Sequence, residues 1–550
     1  MTFSLAIGDF YKNFHNRELA NLLRIILSSF RIDLVHVHHT MGLSLDIFYE
    51  AAKQNIPIIA TIHDFYSVCP SFNLLDYSSK YCCQKDDLDY CAECLWNKFT
   101  ISKLISNYLQ KRRVEYLRAL SLCNELITPS ESAKDIVLNY YPDLKNKLIV
   151  IEHGSNSFHM LTKGKINIDN RVKSYFDKIP DKKRNVIEGW IYLEDTDSKA
   201  NNIVLEVSNS SCFQKRVFVC SKPRADVASA KNDNRYLYSG FCLPLPLDLF
   251  PNGQLTIRII VEYQGKFFSD GKKIRVDNKQ QARKNLLNIA FIGAMTKNKG
   301  SEIFASLIKK GDTKFTWHSF GEINRNDWSK KIKKFNQYYE IGHYKREHLQ
   351  SLIDFYSIDL ICILSIGPET FSYTLSEAIL CGLPVIATDL GALGERVKKM
   401  DCGWLVSPDN AVNEIINLLQ HLYRDSDKYK IKKAIVQNVK IKNVREMVNE
   451  YRQKYIALMQ YCQRPKHSQL SVDDIKLITA DYLKVPCLNT RQNIELEILR
   501  QKETLLNDIC NSLSFKIMLL LKKLLPSIIK YPLKMCILSL VKIYKMFHYD

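Results

Sequence analysis

The sequence contains no apolar run approaching the roughly 18 residues that a bilayer-spanning helix requires. Its longest, such as Ile517–Leu521 and Met535–Val541, fall far short of that. The opening segment, MTFSLAIGDFYKNFH, lacks the basic start, apolar stretch and small-residue cleavage site of a secretory signal. Together these absences give the expectation of a cytoplasmic protein. No aromatic-and-basic signature of an RNA-binding module appears, so nucleic acid is not an expected partner. Nor is the chain poor in core-forming residues: 46% hydrophobic and 25% charged is ordinary for a globular protein and excludes disorder as the default. Most of its 16 cysteines are scattered in apolar settings, as Cys362, Cys381 and Cys402 are, and read as reduced core thiols. The exception is the group Cys69, Cys82, Cys83, Cys91 and Cys94.

What the chain has in plenty is length and positive charge. At 550 residues it exceeds one compact core and divides into three or four units. A net charge of +20 suits nucleic acid, an anionic membrane surface or anionic substrates. Its location narrows the choice. Between Asn511 and Asp550 stand seven lysines and a single acidic residue among Leu, Ile and Met. Ile517, Leu520, Leu521, Leu524, Leu525, Ile528 and Ile529 recur at helical spacing, interrupted by Pro526, which fits either an anionic membrane surface or a packed helix. The basic excess favours the membrane, as a peripheral contact at the inner face of the plasma membrane.

From Glu18 to Phe30 apolar residues recur at helical spacing. The strand-like DLVHVHH (Asp33–His39), the helix-like LSLDIFYEAAKQ and the strand PIIATI (Pro57–Ile62) follow, a rhythm of parallel strands with crossover helices. Leu126–Pro129 and Leu148–Ile151 continue it. Between Val186 and Asp277 the text changes to short alternating segments, VIEGWIYL, NNIVLEVS, KRVFVC and QLTIRIIVEY, the signature of an antiparallel sandwich. The parallel pattern returns at Asn288 with NIAFIG, FTWHSFG, DLICILS and PVIAT. The expected organisation is an α/β half over 1–165, a β-sandwich over 180–279, a second α/β half over 286–462 and a basic helical tail over 463–550. Sandwich aromatics such as Trp190 and Tyr192 fit either a core or a sugar-stacking surface.

The segment most informative about chemistry is GPETFSYTLSEAILCGLPVIAT, from Gly367, which reads as a tight loop after a strand and then a helix ending near Gly382. Glu369 and Glu377 stand eight positions apart, slightly over two helical turns, so both can face one cleft. Amides of Phe371, Ser372 and Tyr373 would lie at the helix N-terminus, where free N–H groups and the helix dipole favour an anion such as a diphosphate.

This stretch, continuing through DLGALGERV and with CGWLVSP (Cys402–Pro408) read as a following loop, resembles the E-x7-E region of the retaining GT-B glycosyltransferases of family 4. The resemblance implies two Rossmann-like halves, a nucleoside-diphosphate sugar as donor, and a lipid-linked or polysaccharide acceptor in bacterial surface glycan assembly. It implies that Glu369 contacts the donor sugar, that Glu377 binds the ribose, and that the Phe371 and Ser372 amides with the Thr374 hydroxyl hold sugar and phosphates. A second phosphate element in the family is a glycine-led loop bearing an arginine and then a lysine. Here Gly293 begins it and Lys299 matches the lysine, while Ala294 stands where arginine is common, leaving that contact absent or supplied by Lys297.

The amino-terminal half resembles the acceptor half of the same family, which implies that His63 stands near the reacting sugar. His36, His38 and His39 read as packing or cleft-lining residues. Family members open with a strand and a glycine-rich loop, whereas this chain opens helix-like, so its amino-terminal half is expected to be incomplete. That leaves open a catalytically impaired GT-B-like subunit or scaffold. A phosphorylase-like enzyme with a pyridoxal cofactor shares the architecture, but no convincing cofactor lysine appears, and no cofactor is expected for catalysis. The pair C-A-E-C at Cys91 and Cys94, completed by Cys69 with Cys82 or Cys83, is compatible with a structural zinc; plain burial accounts for the same residues.

Overall fold

Short runs of aliphatic and β-branched residues, buried along their length, form the strands on which the molecule is built. The computed structural model describes residues 14–460 except 31, 42–43, 83–86, 100–107, 159–160, 162–163, 181–184, 211–212, 280–286, 311, 313 and 324–336. The expected incomplete opening at residues 1–13, Cys83 and the basic tail lie outside the described residues. No helix among the described residues is long and apolar enough to cross a membrane. Helix α1 (Arg17–Ser29) belongs to a second unit and is described by itself: Leu19, Leu22, Leu23, Ile26 and Leu27 recur on one stripe.

The amino-terminal half alternates β1 (Val35–Val37), α2 (Asp46–Lys53), β2 (Ile58–Thr61), α3 (Leu88–Phe99), α4 (Tyr108–Ser121), β3 (Glu125–Thr128), α5 (Glu131–Tyr140) and β4 (Leu148–Val150). Its four strands pair in parallel in the order β1-β2-β3-β4. The described residues between β2 and α3 are mostly loop and turn, and α5 is capped by Ser130, whose hydroxyl accepts from the Ala133 amide at 3.1 Å.

The inserted β-rich region starts at Ile166, ahead of the expected 180, with β5 (Ile166–Ile168) and β6 (Val172–Lys178). It continues through β7 (Val186–Leu193), β8 (Asn202–Ser208), β9 (Gln214–Val219), α6 (Ala225–Lys231), β10 (Gly240–Pro244), β11 (Gly253–Tyr263), β12 (Lys266–Ser269) and β13 (Ile274–Asn278). One sheet runs β10-β7-β6; the other runs β5-β12-β11-β8-β9 with β13 on β11. Pairing is antiparallel except between β5 and β12, where Ile166 and Phe267 are in parallel register, because β5 enters directly from the preceding half rather than through a hairpin.

The carboxyl-terminal half comprises β14 (Leu287–Ile292), α7 (Ser301–Lys309), β15 (Phe315–Phe320), β16 (Tyr338–Gly342), α8 (Leu349–Tyr356), β17 (Leu360–Ile363), α9 (Tyr373–Leu380), β18 (Val385–Thr388), α10 (Gly391–Met400), β19 (Gly403–Val406), α11 (Ala411–Arg424), α12 (Ser426–Gln437) and α13 (Val444–Gln460). All six strands are parallel, in the order β16-β15-β14-β17-β18-β19. In this half's own count that is 3-2-1-4-5-6, the doubly wound order whose ligand crevice opens at the carboxyl ends of the first and fourth strands. Cys402–Pro408, expected as a loop, contains β19: Trp404 and Val406 pair in register with Ile386 and Thr388.

Two packing features complete the frame. Tyr451 of α13, joined by Met447 and Tyr455, packs on Ile59, Ile127 and Ile151, so the last described helix returns to the amino-terminal sheet. Two α/β halves bridged by such a helix make the GT-B arrangement. The insert's core is continuous with that of the carboxyl-terminal half: Phe250 meets Phe355 with ring centroids at 5.5 Å, Phe218 stacks on His348 at 3.9 Å, and Lys215 Nζ donates to the carbonyls of Asp354 and Phe355.

Candidate active site

The crevice at the ends of β14 and β17 depends on two glycines. Gly300 (φ +80°) lies so close to the end of β17 that a Cβ there would come within 2.0 Å of the Leu364 carbonyl oxygen. Only glycine fits, and this close approach sets the turn Lys297–Lys299 against the strand end. Gly293 (φ +102°) faces the Thr374 hydroxyl, which a Cβ there would approach to 3.9 Å.

From that turn Lys299 reaches Glu369, its Nζ donating to Oε1 at 2.6 Å, and the Ser365 hydroxyl donates to the same oxygen. Burial alone would raise the Glu369 carboxyl; the Lys299 ammonium beside it, with these hydrogen bonds, outweighs that and holds it below the ordinary carboxylate range. Glu377 shows the opposite balance. Burial raises its carboxyl although Arg346 Nε donates to Oε1 at 2.6 Å. The same guanidinium bonds the Ser155 hydroxyl of the amino-terminal half.

Between the glutamates the chain enters α9 through Ser372, which adopts a left-handed conformation (φ +70°), and no side chain caps the helix start. Strained backbone of this kind persists only where its surroundings over-determine it. Here Arg396 of α10 supplies the constraint. Its guanidinium lies 3.8 Å from the Phe371 ring centroid and donates to the Phe371 and Ser372 carbonyls, both at 2.9 Å, and to the Ser376 hydroxyl. With those carbonyls held, the first-turn amides of α9 are left without a side-chain cap.

The opposite wall is a file of rings. His36 lies over His38 (3.9 Å between centroids), His38 stacks on His63 (5.1 Å), His63 on His153 (5.3 Å) and His153 on Tyr373 at the start of α9 (5.4 Å). A 2.7 Å hydrogen bond joins His38 Nδ1 to His63 Nε2. Burial, with neighbouring histidines, lowers His63 and His36 to about 3; burial, then Arg396, lowers His153 to about 4. These rings are uncharged at neutral pH. In the unfolded chain the same histidines take protons near their ordinary value, about 6.5. The unfolded state therefore binds more protons between about 6.5 and 3, and stability falls as pH drops through that window while staying level above it. The melting temperature is expected to fall by several degrees from pH 7 to pH 5, with a shallower slope in His153→Gln; parallel slopes would refute this.

Several contacts hold the two halves together around this site. The Thr370 hydroxyl donates to the His63 carbonyl at 2.6 Å, the Ser130 hydroxyl to the Thr370 carbonyl at 2.8 Å, and the Ser132 amide to Glu395 at 2.6 Å. Of the sequence-expected residues, Gly293, Lys299, Glu369, Phe371, Ser372, Thr374 and Glu377 thus gather at one crevice, with His63 across from them. Lys297 does not join them: more than half exposed, it lies 3.9 Å from Glu302, on its own side of the turn. Sequence reasoning missed Arg346, which follows β16 with no motif around it. It also missed Arg396, although an arginine on the same stripe as Ala392, Leu393 and Val397 was a signal.

Cys69, Cys82, Cys91 and Cys94 line one small pocket with Leu74, Leu75, Tyr90, Leu95, Leu109, Arg113 and Tyr140. Among the described residues, no group of three or more His, Cys, Asp or Glu side chains could hold a metal ion.

Two family models match the sequence, one in each half. Residues 287–425 match the family model Glycosyl transferases group 1, and residues 5–156 match Glycosyltransferase Family 4. Both halves therefore carry glycosyltransferase domains. A curated relative, an uncharacterized 41.2 kDa protein in the cps region of Klebsiella pneumoniae, is 27% identical over 149 residues; the match covers 27% of this chain and 40% of that protein. Similar solved structures include a glycosyltransferase from Rickettsia africae (14% identity, 80% of this chain and 81% of that one, TM-score 0.41). The Anabaena protein HepE in complex with UDP is another (12%, 80% and 82%, TM-score 0.42). A third is sucrose-phosphate synthase from Thermosynechococcus elongatus (13%, 80% and 77%, TM-score 0.42).

Proposed function

From a chain with glycosyltransferase domains in both α/β halves, we infer an enzyme that moves a sugar from a nucleoside-diphosphate sugar to a lipid-linked or polysaccharide acceptor with retention of anomeric configuration. The observation that carries this reading is the convergence of Glu369, paired to Lys299, and Glu377 on the α9 N-terminus at the β14/β17 switch point. The diphosphate lies on the first-turn amides, where helix dipole and N–H groups favour anions. Lys299 spends one of its three N–H bonds on Glu369 and has others for a phosphate oxygen. Glu369 accepts hydroxyl hydrogen bonds from the sugar, and Glu377, steadied by Arg346, accepts from the ribose.

As the sugar–phosphate bond lengthens, charge grows on the departing diphosphate in front of these preorganised donors, which stabilise it more than they stabilise the ground state. The acceptor hydroxyl then attacks the oxocarbenium-like sugar from the face the phosphate leaves, on the side of His63, and its proton passes to the departing diphosphate oxygen. Uncharged rings on that side neither repel the developing cation nor compete for the diphosphate. The relative's association with a cps region supports a surface-polysaccharide acceptor.

Glu377→Ala is expected to weaken binding of a nucleoside diphosphate by about tenfold or more, the value of one or two lost hydrogen bonds to a charged acceptor. Titration calorimetry measures it; unchanged affinity would remove the ribose assignment.

A further inference from the structure

The insert touches the carboxyl-terminal half at more than the flank of α8. Leaving β16, the chain runs through His343, Tyr344 and Lys345 into a short turn, Arg346–His348, and then into α8. Lys345 is extended (φ −82°, ψ 134°), and side chains along extended backbone alternate between two sides. One side meets the insert. His343 Nδ1 lies 3.5 Å from Cys220 Sγ, and Lys345 Nζ donates to Asn202 Oδ1 at 3.0 Å. The Asn202 amide is itself aimed, because its Nδ2 donates to Glu262 of β11 at 2.7 Å and so leaves the oxygen for the lysine. Past the turn, the buried His348 ring stacks on Phe218, whose backbone amide donates to the Ser351 hydroxyl at 3.3 Å. The other side meets the donor crevice. Burial, then the Glu377 charge, raises the Tyr344 hydroxyl well above its ordinary value, and Arg346 bonds both Glu377 and Ser155.

We propose that the inserted β-region is a positioning element of the donor site: Asn202, Phe218 and Cys220 set the β16–α8 loop, and Arg346 on that loop carries the setting to Glu377 and Ser155. This rests on the reading of Glu377 as the ribose ligand. The need for a brace follows from where the loop lies. β16 is the edge strand of its sheet, so no further strand of that sheet supports the chain leaving it, and the insert stands on that outer side. Arg346 is a long side chain, 42% exposed, and holding such a chain in one geometry costs rotamer entropy that an ion pair near the surface barely repays. A fixed backbone beneath it lowers that cost. Glu377, at 10% exposed, depends on the outcome, because a buried carboxylate without a donor is costly and poorly aimed. Asn202, Phe218 and Cys220 touch neither glutamate nor the α9 N-terminus; they act through the arginine.

Calorimetric titration of the full chain with UDP, GDP and ADP identifies the tightest of the three, which then serves as the probe. Replacing Asn202 and Cys220 together by alanine removes both side-chain contacts to the extended stretch. Affinity is expected to fall about threefold to tenfold, the value of one or two side-chain hydrogen bonds, with the melting temperature unchanged. In an Arg346→Ala background the same pair of substitutions should cost nothing further, the non-additivity of groups that act in series. Lys345→Met, made from the loop side, should reproduce the loss, and Lys345→Arg, which keeps a donor for Asn202, should recover most of it. Lys215→Met, which loosens the insert from the far end of α8, should lower stability and leave affinity at the parent value. Parent-like affinity in the Asn202/Cys220 and Lys345→Met variants, with Glu377→Ala impaired, overturns the proposal and leaves the ribose assignment standing. A loss that adds in full to that of Arg346→Ala, or an equal loss in Lys215→Met, overturns it as well. Parent-like affinity in Glu377→Ala removes the ribose assignment and this proposal with it.

Discussion

Glu369→Gln is expected to lower transfer turnover by roughly a hundredfold or more, the usual loss when a preorganised polar group at the reacting centre is removed. Affinity for the nucleoside diphosphate should hold or rise slightly. Glutamine keeps an oxygen for the Ser365 hydroxyl, so the loop is not asked to refold. What it loses is the charge that Lys299 pairs with and that persists despite burial. The ammonium then turns fully to phosphate while the sugar loses its strongest hydrogen-bond acceptor. Steady-state kinetics with calorimetry separate the two effects. Near-normal turnover, or an affinity loss matching the rate loss, would show that Glu369 does not contact the sugar.

Arg396→Met should be the most damaging substitution outside the glutamates. Arg396 is charged at neutral pH although burial lowers it to about 10, and it satisfies two backbone carbonyls and a hydroxyl in the interior. Methionine fills the space over Phe371 but leaves those acceptors bare, at about 1–3 kcal/mol for each one that finds no other donor. Stability to denaturant should fall by several kcal/mol. Nucleoside diphosphate affinity should fall with it, because Ser372 is released from its left-handed conformation and the α9 amides lose their aim. Arg396→Lys, a single point of donation in place of a planar fork, should recover only part of either. Unchanged affinity in the methionine variant would mean that the amides do not hold the diphosphate.

The carboxyl-terminal half was the most legible in the sequence, for a physical reason. Strands buried on both faces read as unbroken apolar runs, as in NIAFIG and DLICILS. The glutamate motif then located α9. The insert was read too short at its start because VKSYFDK (β6) interleaves lysines, serine and aspartate on a half-exposed strand, which blurs the alternation. Ala294 drew attention to Lys297 as a substitute for the missing arginine; the structure instead brings Arg346 to the crevice from a loop some fifty residues on, a meeting made by β16 lying two strands from β14. His153 and Thr370 gain their meaning only once the halves face each other across the crevice. No one-dimensional pattern encodes that placement.

The insert's junction bears on what the chain can lose. Elements added to a protein are often appended at a surface, where later loss costs little. Here Phe250 and Phe218 sit against α8, Tyr356 donates to the Pro244 carbonyl at 2.6 Å, and Lys215 satisfies carbonyls at that helix's end. Removing the insert would uncover an oily flank and strand the carbonyls that close the helix. Phe355 and Leu352 of α8 would then face water instead of the shared core. A substitution on either side of this junction is therefore felt by both regions.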